Sequence, residues 1–270
     1  MRDRKNTVDT RVRRTVVLAG LASIVLTGPA IGREPDIHPA SYRLIYWNDW
    51  HAGIRDLEFQ EARPSNIAWM TDPMVVGRHA IRVQLRRGEN FTRLVNALPR
   101  AEFLLPRDIV LAPGQEYLIR WRTYLPSDFM FDQQQMEIIT QIHQSGLTGA
   151  PPFMLTLLGE EYAFSVRGGV DTVHGTGGRM CCAAADQGKW VQWALQYAPD
   201  ASGRQAVTHL WKDGVSVFDG SGRPNAYSGD VHAYLKFGVY KPDWLKLPSD
   251  IESVTLYFGE VSIGTKREAR

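Results

Sequence analysis

Three separated segments carry residue types able to hold an acidic sugar and move a proton beside it: Arg100-Ala101-Glu102, Gln141-Ile142-His143 and Tyr234-Leu235-Lys236-Phe237-Gly238-Val239-Tyr240. Each alternates polar and apolar residues with period two, and successive side chains of a strand point to opposite faces of a sheet. Read as strands, the segments bring a guanidinium, an amide, an imidazole, an ammonium and two phenols to a few sheet faces. That set matches what cleavage of a uronic-acid polymer without water demands. The C5 proton lies next to a carboxylate, its removal builds negative charge there, and the O4 leaving group needs a proton. Electrostatic stabilisation of the developing charge is usually the largest contribution, and general acid and base groups add about 10²–10⁴-fold each.

Arg100 offers a planar fork for a carboxylate, and Gln141 can donate its amide hydrogens to the same group. His143 shares the face of Gln141 and belongs to the residue type that titrates near neutrality. Tyr234, Lys236, Gly238 and Tyr240 have one parity, so both phenols and the ammonium are expected in one groove, with Gly238 leaving room for the sugar. A lysine beside a tyrosine favours the phenolate, which predicts a lowered phenol pKa. Arg82 shares a strand face with Gln84 and Arg86 and is a candidate to extend the anionic subsite. Asn48, Trp50 and His51 are candidates for a groove end. Each residue also has a simpler role: strand tyrosines mostly pack, and an Arg two residues before a Glu is often a same-face ion pair worth little.

The elements that must position these groups are short β runs separated by turn chemistry, rich in Val, Ile, Tyr, Phe and Trp and bounded by Gly, Pro, Asp and Ser. The pattern predicts strands over 43–47, 80–86, 100–104, 117–125, 137–143, 153–158, 162–167, 190–198, 205–211, 215–218, 233–240 and 254–263. Asp213-Gly214 predicts a tight hairpin. Residues 49–57 read as a short helix, 128–135 as a helix or a polar loop, and the glycine-rich stretch 168–188 as a long excursion over one end. Trp190 and Trp193 fall on opposite faces of their strand, so at most one is available for stacking on sugar. Many strands without regular helix alternation indicate an all-β, two-sheet β-jelly-roll sandwich of the concanavalin-like type, with a concave face for the substrate.

The chain opens with six basic residues, an apolar run from Thr15 to Leu26 and Gly28-Pro29-Ala30-Ile31-Gly32, the pattern of a secretory signal over residues 1–32. Arg13-Arg14 loosely fits a twin-arginine version. A secreted or periplasmic protein follows, with residues 33–270 forming a single domain and no membrane span after cleavage. The signal takes six basic and two acidic residues from totals of 31 and 29, so the formal net charge moves from +2 to −2. That balance argues against nucleic acid, which is held through phosphate neutralisation, and mildly against densely sulfated partners. Cys181 and Cys182 read as two loop thiols or, after export, a vicinal disulfide. Neither they nor spaced histidines form a metal-ligand pattern, so no cofactor is expected, although calcium could support a loop. The sequence carries no oligomeric signal, and a monomer is expected.

The three segments resemble those of jelly-roll polysaccharide lyases, specifically the heparin-lyase-I-like group that includes glucuronan lyases. They are more distantly similar to jelly-roll alginate lyases, marked by Arg-x-Glu, Gln-Ile/Val-His and Tyr-x-Lys-x-Gly-x-Tyr. The likeness extends over roughly Ser41 to Gly264 and includes Tyr124-Leu125-Pro126 and Trp211-Lys212-Asp213-Gly214. It implies that His143 is a base, that Tyr234, or Tyr240 with Lys236 beside it, protonates the leaving oxygen, and that Arg100 and Gln141 quiet the carboxylate. The implied partner is an anionic polysaccharide of glucuronan, heparan or alginate type. Phe103-Leu104 and Lys241-Pro242 depart from the alginate-lyase continuations, and the mature charge departs from what sulfated heparin asks. A glucuronate-containing, less sulfated polymer fits better. Two other classes compete: a glycoside hydrolase, which needs paired carboxylates about 5–9.5 Å apart, and a non-catalytic carbohydrate-binding protein of the same fold.

Overall fold

The computed structural model describes residues 41–146, 149–171 and 173–267. The expected signal over residues 1–32 lies outside them. Fifteen strands follow in order: β1 (Tyr42–Asn48), β2 (Glu58–Glu61), β3 (Ile67–Thr71), β4 (His79–Arg86), β5 (Arg100–Leu104), β6 (Tyr117–Leu125), β7 (Glu137–His143), β8 (Phe153–Leu158), β9 (Glu161–Val166), β10 (Thr176–Cys181), β11 (Lys189–Ala198), β12 (Val207–Lys212), β13 (Val215–Asp219), β14 (Tyr234–Tyr240) and β15 (Ser253–Lys266). They form two antiparallel sheets. One has the order β13-β12-β11-β6-β15-β4-β3, with β1 also paired to β15; the other runs β10-β9-β8-β7-β14-β5-β2. The all-β jelly-roll sandwich predicted from the strand pattern is the observed architecture, and no helix among the described residues is long and apolar enough to cross a membrane.

Alternation explains how each strand divides its residues. In β6, Tyr117, Ile119, Trp121 and Leu125 enter the core, while Arg120 and Arg122 lie on the opposite parity. Phe103, Phe237 and Phe258 meet between the sheets with ring centroids 5.4–5.9 Å apart. Trp121 and Trp193 stack beside them at 6.2 Å. Each such ring, fully buried, stabilises the sandwich by about 1.5–3 kcal/mol. Of the two tryptophans of β11, Trp193 is core and bonds Thr123 Oγ1 through its indole N–H at 2.9 Å. Trp190 faces out, half-buried, and donates to Asp72 at 3.0 Å.

The structure departs from expectation at several places. Residues 49–57 hold turns and not a helix, while 128–135 follow the loop alternative. The excursion over 168–188 contains β10, which pairs with β9, and a single 3-10 turn at Ala183–Asp186. Of the two readings of Cys181 and Cys182, the structure has the disulfide and not the free thiols. Trp50 is wholly buried, its indole N–H donating to Gly259 O at 2.5 Å, so it belongs to the core and not to a groove end.

Strand β7 breaks its own alternation. Glu137 is buried, with Ile139 in the core, yet Gln141 and His143 line a cavity on the other face. The pairing with β8 shifts between Ile138 and Thr140, and that with β14 between Phe237 and Tyr240. Gly238 sits in this irregularity at φ +144°, and a Cβ there would lie 2.1 Å from Ala101 O of β5. The glycine is therefore required by the close approach of β5. At the inner end of β7, Lys241 is fully buried and bonds both Asp132 Oδ2 (2.9 Å) and Glu137 Oε2 (3.2 Å). Burial pushes the Glu137 carboxyl up to about 7, with Lys241 opposing. Despite its own burial, Asp132 is held down at about 2 by hydrogen bonds from Ser249 and Lys241.

Candidate active site

Strand β14 lies between β5 and β7, so three segments distant in sequence become neighbours. Register aligns them side chain by side chain: Tyr234 opposes His143, Lys236 opposes Gln141, Gly238 opposes Glu102 and Tyr240 opposes Arg100. Gln60 of β2 opposes Glu102 from the other side. Core-facing Ala101, Phe103, Ile142, Leu235, Phe237 and Val239 alternate with these residues, so the polar set occupies the outer face of the seven-stranded sheet.

Glu102 is the centre of the cluster. Gln141 donates its amide N–H to Glu102 Oε1, while Arg100 and Lys236 lie 3.6 and 3.7 Å from Oε2. Gln60 Oε1 accepts from Lys236 Nζ at 3.0 Å and from Arg100 Nη1 at 3.4 Å. The Arg100 guanidinium also lies 4.1 Å from the centre of the Tyr240 ring, a cation–π distance. Its Nε is buried without a hydrogen-bond partner among the described residues. Two formal cations face one carboxylate, so the cluster carries one surplus positive charge.

His143 lies at the rim of this group. Its Nδ1 is 2.8 Å from Gln144 O, and because a carbonyl only accepts, Nδ1 carries the proton and Nε2 presents the lone pair. Burial first and the Lys236 charge second push the imidazole down to about 4, so it is neutral near pH 7. Tyr234 Oη stands 3.4 Å from Nδ1, with the two rings 5.5 Å apart. Both phenols are raised, not lowered. Burial raises Tyr234, with Glu102 adding to it; burial raises Tyr240 against the opposing charge of Arg100. The lowering expected from a neighbouring lysine is not found: burial and Glu102 outweigh the opposing charge of Arg100, and Lys236 is itself lowered by burial. Protonated phenols suit donation, not abstraction.

A cavity of about 480 Å³ opens over these strands, lined by Arg100, Gln141, His143 and Tyr240 together with Met154 and Asn96. The volume falls within the range of small-molecule pockets. Tyr234 lines a second cavity of about 370 Å³ with Gln60 and Arg107. None of the described residues lining the larger cavity is a carboxylate, and Glu137, alone in its strand, is tied to Lys241. The paired acids that hydrolysis requires are not assembled there. Among the described residues no group of three or more His, Cys, Asp or Glu side chains is arranged to hold a metal ion.

Of the residues singled out in the sequence, Arg100, Gln141, His143, Tyr234, Lys236 and Tyr240 are brought together. Arg82 is not. It lies on β4 in the other sheet, on the parity opposite core residues Ile81, Val83 and Leu85, with Nη2 donating to Ser65 O at 3.1 Å. An anionic subsite continuous with the cluster cannot include it. Sequence reasoning passed over Glu102 as a participant, and missed Gln60 and Asp230. Asp230 anchors the loop leaving β7 by accepting from Ser145 Oγ at 2.6 Å. The i, i+2 spacing of Arg100 and Glu102 was a usable signal for the first; nothing local marked Gln60 or Asp230.

This jelly roll gathers a neutral imidazole, protonated phenols and surplus positive charge on one sheet face. The family described as polysaccharide lyase matches residues 46–262, and the chain belongs to that family: it is a carbon–oxygen lyase acting on polysaccharides. Among solved structures, it is similar to an endo-β-1,4-glucuronan lyase from the fungus Trichoderma reesei, with 15% identity, 82% of this chain and 95% of that one covered, and a TM-score of 0.66. A family 7 alginate lyase in complex with product shares 13% identity over 73% of this chain and 83% of that one, with a TM-score of 0.52. A botulinum neurotoxin type C structure also overlaps, at 7% identity, 79% and 44% coverage and a TM-score of 0.50. The sandwich alone therefore does not define the chemistry; the family match does. No curated protein sequence matches the chain.

Proposed function

We propose that the chain cleaves a glucuronate-containing polysaccharide of low sulfation by β-elimination, outside the cytoplasm as its N-terminal signal implies. The observation that carries this reading is the shared cavity of His143, Gln141, Arg100 and Tyr240. His143, neutral with Nε2 unprotonated, takes the C5 proton. The electrons of the C5–H bond move toward the carboxylate, whose growing negative charge meets the surplus positive charge of the Arg100–Lys236–Glu102 group. Electrostatic preorganisation of this kind supplies most of the stabilisation. The C4–O4 bond then breaks, a C4=C5 double bond forms, and the leaving oxygen takes a proton from Tyr240.

Tyr240 is assigned as the acid because it lines the cavity that holds His143, while Tyr234 lines its neighbour and orients the imidazole. A single surplus positive charge suits one carboxylate per sugar better than a densely sulfated chain. The extent of overlap with the glucuronan lyase makes glucuronan the first polymer to test.

The test incubates the mature protein with glucuronan, alginate, heparan-type and hyaluronan-type chains and follows far-ultraviolet absorbance of unsaturated ends. Absorbance should rise with glucuronan and fall by about 10²–10⁴ in rate for H143A and Y240F, with binding retained. New reducing ends without absorbance would establish hydrolysis instead.

A further inference from the structure

We propose that the outer face of the eight-stranded sheet carries a second, non-catalytic site for a carboxylate-bearing sugar, centred on Trp47 and Arg122. The ligand class rests on the proposed function above; the site itself rests on separate observations. Register lines up Trp47 of β1, Ser262 of β15, Arg120 of β6 and Ala194 of β11 as one cross-sheet row, with Arg122 opposite Gln192 beside it. A cavity of about 270 Å³ lies over this row, lined by Trp47, Arg120, Arg122, Gln192, Glu260 and Ser262. A second hollow of about 140 Å³ shares Trp47, Arg122 and Glu260 and adds Arg78 and His79, so the depression continues past the indole.

The groups match an acidic sugar. Trp50, Trp121, Trp193, Trp211 and Trp244 are buried, but Trp47 is 56% exposed and offers its face to the C–H side of a sugar ring. Arg122 is held in place rather than solvated: its side chain is 12% exposed and its guanidinium carbon lies 4.9 Å from the Trp190 ring. Gly259 makes room for it, since a Cβ there would come within 2.9 Å of Arg122 Nε. Glu260 pairs with that Nε electrostatically at 3.8 Å, beyond hydrogen-bond range, so the buried N–H has no hydrogen-bond acceptor among the described residues. Across both hollows three guanidiniums, those of Arg78, Arg120 and Arg122, face the carboxylates of Glu260 and Asp49. Gln192 and Ser262 add neutral hydrogen-bonding groups for hydroxyls. The aromatic core separates this face from the His143 cluster, so a chain held here takes no part in bond cleavage. It would keep a long polymer near the enzyme while another stretch is cut.

The test titrates a glucuronate tetrasaccharide into H143A and H143A/W47A calorimetrically. Two equivalents should bind the first and one the second. In the wild-type background, W47A and R122Q should each raise KM for long polymer about tenfold, the loss of about 1.4 kcal/mol of stacking or ion pairing, and leave kcat on the tetrasaccharide unchanged. One equivalent in H143A, unaltered by W47A, overturns the second site. A neutral β-glucan tetrasaccharide binding as tightly as the acidic one overturns its assignment to carboxylates. Binding that depends on Trp47, in a chain that cleaves no uronate polymer, supports this site and overturns the reading of the catalytic cluster instead.

Discussion

The acid limb of the reaction should lie near the His143 value, far below an ordinary imidazole. A free histidine titrates near 6.5, whereas His143 is held at about 4. The difference is on the order of 3 kcal/mol between protonation states. At about pH 5.5 an unperturbed imidazole would be mostly protonated, while His143 would be mostly neutral and still a base. Lys236→Met removes the second-largest cause of the depression and leaves burial, the largest, in place. The His143 midpoint should therefore rise in K236M yet stop short of 6.5. Because the substrate carboxylate also titrates in acid, the check pairs kcat/KM against pH with an NMR titration of the His143 ring in the free enzyme. A wild-type midpoint near 6.5, or one that fails to rise in K236M, would refute the reasoning. Stability carries the same signature. The folded-state value is below the unfolded one, so between pH 6.5 and about 4 the unfolded chain binds a proton that the folded chain does not. Stability attributable to this residue is intact above that window and falls as pH drops through it, by at most about 1.4 kcal/mol per pH unit.

Gly238→Ala should lower stability by about 1–3 kcal/mol through its backbone conformation alone, and further through the clash with Ala101 O, read as a lower urea midpoint. Lys241→Met should cost about 3–5 kcal/mol because it leaves Asp132 and Glu137 buried without their cation. The triple variant K241M/D132N/E137Q should recover part of that loss. Arg82→Ala should leave kcat on the preferred polymer at the wild-type value, since the residue lines neither the His143 cavity nor the Trp47 hollows; a large drop in kcat would tie it to the catalytic cluster.

Strand identity was legible where alternation was strong. Residues 117–125 and 153–158 read as strands because β-branched and aromatic residues cluster there, and both bounds match β6 and β8. Strands β2, β3 and β10 escaped notice. Glu58-Phe59-Gln60-Glu61 is short and charged, and Thr176–Cys181 is rich in glycine; each is a strand because a neighbour, β5 or β9, supplies hydrogen-bond partners. The site was legible for a related reason. Parity within one strand is local, so Tyr234, Lys236 and Tyr240 could be placed on a common face, as could Gln141 and His143. What parity cannot supply is the environment across strands. The phenol shifts depend on burial and on Glu102 of β5, and Arg82 had the right chemistry on the wrong layer. Gln60 entered the cluster only through the pairing of β2 with β5.

The broken alternation of β7 has a consequence for how such an enzyme could lose or acquire its activity. A single-residue slip in a strand exchanges its two faces. Deleting Thr140 would remove the extra residue and leave Glu137 and His143 on their present faces in plain alternation, whereas deleting Ile142 would turn His143 into the oily interior. Catalysis could thus be extinguished, or a dormant sandwich awakened, by an insertion or deletion that leaves every reacting group chemically untouched.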